Sequence, residues 1–202
     1  MRSVVRFGLI AILMAALLGV GGNARAEAAA SDAVRDFYAV LLDCMKNAAS
    51  LGVKGRYKKL EPVILGTFDV PYMTKVAVGP LWNQLQPEQK QQAWTAFGHF
   101  VTATYARQFD GYAGEQLKIE GEQKIKHATL VRTNLVKSDG EPIALNYVVH
   151  QNEIGWQIRD VYLTSTISQI ATRRSEFASI LKDGGIDALI AMLNKKAEDL
   201  ES

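Results

Sequence analysis

The chain has 202 residues, of which 48% are hydrophobic and 22% charged, with a formal net charge of +2 and a single cysteine, Cys44. That balance excludes a disordered chain, a disulfide framework and a strongly cationic polyanion binder. No nucleic-acid partner is expected.

Met1 to Ala26 has the form of a cleaved export signal: basic at Arg2 and Arg6, apolar from Phe7 to Val20, and ending in the small-x-small site Ala24-Arg25-Ala26. The apolar run of about 14 residues falls short of the roughly 20 that span a bilayer as a helix. Removing Arg2, Arg6 and Arg25 takes the formal charge from +2 to −1 for 27–202. The remaining chain is expected to be one soluble domain outside the cytoplasm, with Cys44 buried and inert between Leu41, Leu42 and Met45.

Ser31-Asp32 predicts a helix start, and Val34, Phe37, Tyr38, Leu41, Leu42 and Met45 follow at helical spacing. After Gly52 a second stripe runs through Tyr57, Leu60, Val63, Ile64 and Phe68. Its early turns collect Lys54, Arg56, Lys58 and Lys59, read either as a solvated face or as a docking patch for a protein partner. Pro62 is expected to break or kink this helix. Phe68 to Met73 then turns into a short helix ending at Gly79-Pro80. Pro87-Glu88 opens a long helix carrying Ala93, Trp94, Phe97, Phe100, Val101, Thr104 and Tyr105, a stripe wide enough to touch apolar matter on two sides.

Strands are predicted at 116–122, 128–137, 143–150 and 154–163, the turn before the third being Ser138-Asp139-Gly140. Leu145, Tyr147 and Val149 share one face of the third, and Ile154, Trp156, Ile158 and Tyr162 one face of the fourth. Thr164-Ser165-Thr166 can cap a return helix beginning near Ile167, which Asp183-Gly184-Gly185 stops ahead of a last amphipathic helix. The fold class is α+β, with helices wrapped around a four-stranded antiparallel meander.

His99, His127 and His150 lack partners at metal-ligand spacing, and no nucleophile, phosphate-loop or dinucleotide motif appears. No metal, cofactor or covalent catalysis is expected. Asp160 and Tyr147 remain a candidate acid–base pair of an exported isomerase or dehydratase, the alternative being an ion pair of Asp160 with Arg107 or Arg174. The aromatic residues would form an ordinary core in any domain, and periodicity does not separate a filled core from a ligand cavity.

Three stretches resemble the MlaC family, which includes the toluene-tolerance periplasmic proteins and the hopanoid-associated HpnM branch. They are Ile143 to Phe177 with its Gly155-Trp156-Gln157-Ile158-Arg159-Asp160-Val161 run, Tyr105 to Glu115, and Arg56-Tyr57 through Phe68-Asp69-Val70-Pro71-Tyr72-Met73. The resemblance implies a cone-like fold with an internal apolar pocket and a noncatalytic periplasmic shuttle. Its cargo would be phospholipid, or a hopanoid, carried between an inner-membrane lipid-transport ABC complex and an outer-membrane donor or acceptor. Acyl chains are then expected against Phe68, Tyr72, Met73, Phe97, Val101, Tyr105, Leu145, Tyr147, Val149, Ile158 and Ile167. For the leader, N-terminal sequencing of the exported protein should begin at Glu27; a chain that still starts at Met1 would overturn the cleavage site.

Overall fold

The computed structural model describes residues 29–138 and 140–202. The export signal and its junction at Glu27 lie outside the described residues, as does Asp139 of the predicted turn. Among the described residues four helices precede the sheet: α1 (Ala30–Lys46), α2 (Ala48–Thr67), α3 (Val70–Val78) and, after a 3₁₀ turn over Gly79–Gln84, α4 (Pro87–Gln108). Strands β1 (Gln116–Ile125), β2 (Ala128–Val136), β3 (Pro142–Asn152), β4 (Gly155–Leu163) and β5 (Ile167–Ser168) then form an antiparallel meander in sequence order, and α5 (Gln169–Glu201) returns across it. The sheet is therefore five-stranded, open and flanked by helices.

The helices bury the stripes their spacing sets out. In α1 these are Val34, Phe37, Tyr38, Leu41 and Cys44, the last a free thiol whose burial raises its pKa. Between α2 and α5 runs α4, with Ala93, Phe97 and Ala103 buried along its length. Gly98 lets α2 approach, since a Cβ there would come 2.9 Å from Leu65 Cδ2. The return run kinks at Gly185, whose φ of 69° is left-handed, so the predicted stop becomes a change of direction within α5.

Pro62 neither breaks nor kinks α2, whose one departure from helical angles is at Gly52 (φ 61°), ten residues earlier. Pro62 and Lys58 are both exposed, so the Lys58 carbonyl that loses its amide partner can be solvated, while Leu60 and Ile64 on the inner face are fully buried. The basic segment also divides. Lys54, Lys58 and Lys59 are exposed, but Arg56 is buried, donating from Nε to the Ala106 carbonyl at 2.7 Å and from Nη1 to Ala48 O at 2.9 Å. Ala106 lies in the last turn of α4, where carbonyls lack helical partners and a cation is favoured, so Arg56 ties the start of α2 to the end of α4.

Two departures reshape β4. A bulge shifts register so that Val148 faces Asp160 while Val149 faces Ile158, leaving Arg159 as the extra residue. Ile158 and Val161 consequently both point inward, opposite Val149 and Tyr147, and Tyr162 turns to the outer face. Second, Thr164 and Ser165 take positive φ (52° and 65°) in a tight turn instead of capping a helix, and Ile167-Ser168 pairs with β4 as the fifth strand. The cap is Ser168, whose hydroxyl accepts from Ala171 N at 3.0 Å.

Asp160 joins this corner together. Its carboxylate accepts from Ser168 Oγ at 2.6 Å, Val161 N at 2.8 Å and Ile170 N at 3.1 Å, at the start of α5 where the helix dipole favours an anion. Neither predicted arginine pairs with it: Arg107 is exposed, and Arg174 packs on Gly79, where a Cβ would lie 3.3 Å from Nε. Asp160→Ala should cost about 2–4 kcal/mol in denaturant unfolding, because two amides and a hydroxyl lose a charged acceptor, whereas Asp160→Asn, which keeps one carbonyl oxygen, should cost about 1 kcal/mol. Equal losses would show that the corner does not depend on that carboxylate.

Candidate functional site

Between the inner face of the sheet and the helices lies a cavity of about 230 Å³. Its walls come from α1 (Tyr38, Leu41), the second half of α4 (Phe97 to Gln108, then Phe109), the inner faces of β1, β3 and β4, and the first turn of α5. Most of that wall is aliphatic or aromatic, because each strand presents every second residue: Leu145 and Tyr147 on β3 stand opposite Leu163 and Val161 on β4. Polar groups are Thr104, Gln108, Gln169 and Arg173, with the tyrosine hydroxyls.

An aromatic cluster borders one side. Phe37 meets Phe68, Tyr105 and Tyr147 edge-on, at centroid separations of 5.2, 5.3 and 6.5 Å, and Tyr105 stacks on Phe109 at 5.6 Å. Those rings come from α1, the end of α2, α4 and β3, so one cluster fixes the helical layer on the sheet. The Tyr38 hydroxyl bonds Thr133 Oγ1 at 2.5 Å, and Thr133 donates onward to the Leu145 carbonyl. Burial pushes the Tyr38 phenol up to about 12, with the bonds to Thr133 and Tyr147 pulling the other way. Burial also raises Tyr105 and Tyr147, and neighbouring phenols raise them further: Tyr38 for Tyr105, and Tyr105 and Tyr38 for Tyr147. These phenols stay neutral at physiological pH, so they bring hydroxyl dipoles and no charge to the cavity wall.

Of the residues expected at an acyl-chain site, the fold brings Phe68, Met73, Phe97, Val101, Tyr105, Leu145 and Tyr147 onto the cavity wall. Four lie elsewhere. Val149 and Ile158 pair with each other at 0% exposure inside packed core, one step beyond the cavity along the strands. Tyr72 is exposed on α3, its ring 4.3 Å from the Arg159 guanidinium, and Ile167 is exposed on β5. Val161 and Leu163 take the place expected for the Ile158 face, because the bulge reverses the alternation. Tyr38 and Leu41 were visible as an α1 stripe, though nothing in their spacing says which structure they meet. Arg173 carried no signal beyond being a cation in an otherwise helical run.

Asp160 and Tyr147 do not form a common site. Tyr147 lies opposite Val161 on the inner face, and Asp160 lies opposite Val148 on the outer one. A cleft on that outer face is bordered by Asp160, His150 and Arg159, with the carboxylate already engaged by the start of α5.

The fold is similar to that of a phospholipid-binding protein from Ralstonia solanacearum solved in complex with a phospholipid. The match has a TM-score of 0.75 at 23% sequence identity and covers 87% of this chain and 100% of that one. The family model described as MlaC protein matches residues 36–195, from the first turns of α1 to the last turns of α5. With helices, meander and return helix all inside the matched span, this chain belongs to the MlaC family.

Proposed function

We propose that this protein binds a phospholipid by its acyl chains and carries it through the periplasm between the inner and outer membranes, without catalysing a reaction. The observation that carries the reading is the apolar cavity between α4 and the inner face of the sheet, bordered by Val101, Tyr105, Leu145 and Tyr147. Family membership supports it, and so does the phospholipid held by the Ralstonia solanacearum protein of similar fold. Each chain methylene withdrawn from water contributes about 0.8 kcal/mol, so one buried acyl chain suffices for stable carriage. The volume of about 230 Å³ is below the roughly 300–1,000 Å³ of small-molecule sites, so loading parts the walls.

A periplasmic carrier needs a donor and an acceptor. In this reading they are an inner-membrane lipid-transport ABC complex and an outer-membrane complex, reached after removal of the export signal. The separation of Asp160 from Tyr147 across the sheet favours carriage over an isomerase or dehydratase.

Organic extraction of purified protein followed by mass spectrometry should give phospholipid at about one molecule per chain. A hopanoid in its place would move the protein to that branch of cargo, and an extract without lipid would overturn the reading. Val101→Asp, on a half-buried cavity position, should fold with a modest drop in Tm and lose most of its co-purified lipid. Val149→Asp should instead fail to fold, because it places an unpaired charge at 0% exposure, a cost of several kcal/mol. Wild-type lipid content in a well-folded Val101→Asp would remove the chains from this cavity.

A further inference from the structure

We propose that Arg173 and Lys196 form an anion subsite at the mouth of the cavity that holds the phosphate of a glycerophospholipid, an inference that rests on the cavity being an acyl-chain site. Among the described residues Arg173 is the one charged side chain on the cavity wall. It also borders a second space of about 360 Å³ between α4 and the end of α5, which shares Phe100, Thr104 and Gln108 with the cavity and brings in Lys196. The two spaces thus run from apolar to polar, with Arg173 at the junction. That is the order of an amphipathic lipid: chains, then phosphate.

The guanidinium is held in place and only partly used. Its carbon lies 5.2 Å from the Phe100 ring centroid, and Nη1 donates to Glu176 Oε2 at 2.6 Å. Nε and Nη2 donate to no other group among the described residues. Across the second space Lys196 has no ion pair among the described residues, while Asp199, which also borders it, lies 3.5 Å from the Lys195 ammonium. A fixed, half-occupied guanidinium bordering the same space as an unpaired ammonium suits a phosphodiester, which the fork of Arg can bond through two oxygens. A cargo without phosphate leaves Nε and Nη2 of Arg173 and the Lys196 ammonium without an anion.

The test is a competition for headgroup. Full-length mature protein, stripped of lipid, is incubated with vesicles containing equal amounts of phosphatidylglycerol and diacylglycerol of matched chains, and bound lipid is counted by native mass spectrometry. Wild type should favour the phospholipid. Arg173→Gln with Lys196→Gln should lower that preference about tenfold or more, and Arg173→Lys should retain part of it. Lys196→Gln alone, on an exposed helical position, should lower it measurably even if Arg173→Gln proves unstable in thermal unfolding. An unchanged ratio in Lys196→Gln and in the folded Arg173 variants overturns the subsite, as does a wild type that takes both lipids equally. Wild type that takes neither lipid refutes the carrier reading instead. Inorganic phosphate at millimolar concentration should leave the ratio alone; if it abolishes the preference, the cations bind free anions and the headgroup assignment fails.

Discussion

One extra residue in β4 is the constraint on which the rest of the architecture depends. The bulge at Arg159 allows consecutive turns of chain to do different work: Ile158 closes the packed core, Val161 and Leu163 line the cavity, and Asp160 faces outward to start α5. Three residues of this segment also dock the helical layer. Gln157 donates to the Gly66 carbonyl at 3.2 Å, Ile158 O accepts from Asp69 N at 2.9 Å, and Arg159 Nε bonds Asp69 Oδ2 at 2.8 Å. Asp69 in turn caps α3 through Tyr72 N. The end of α2, the start of α3 and the start of α5 are therefore set by one strand segment, and the cavity is the space these placements leave.

The helical layer is closed by two devices of different physics. Arg56 satisfies carbonyls of α2 and α4 with a buried cation, a directional bond whose loss would leave polar groups without partners. The aromatic cluster around Phe37 is less directional and joins helices to sheet by edge-on ring contacts. With the tyrosines beside it kept neutral by burial, alkaline pH acts on this cluster: folded-state phenol values above the ordinary 10 give stability that is complete below pH 10 and is lost as pH rises toward about 12 for Tyr38.

What could be read from the sequence is what repeats. Helical stripes in α1, α2 and α4 and the period-two strands follow from local spacing, and the meander follows from short turns between strands. What could not be read depends on a single residue or on a distant partner. Nothing in Gln157 to Val161 announces a bulge, so Tyr162 was placed with Ile158 and Val161 was overlooked. Arg56 looks like its lysine neighbours until the end of α4 is packed against it. Pro62 looks like a break until Leu60 and Ile64 are seen buried on the other side. The cavity wall follows the same division: seven of the expected residues lie on it because they share the strand and helix faces that spacing gives, and Val149 shares the face but lies deeper along the strand.

The tryptophans add a practical consequence. Trp82 and Trp94 lie against each other, 6.5 Å between ring centroids, and Trp156 sits on β4 one residue before Gln157; none of the three borders the cavity. Three tyrosines do, in contact with one another or with Phe37. The strongest natural fluorophores of this chain are thus placed away from where cargo would sit, and its weaker ones at the spot. Occupancy would be optically quiet in the tryptophan band and visible in the tyrosine band, so following loading in real time calls for a tryptophan introduced at the mouth or for a labelled lipid.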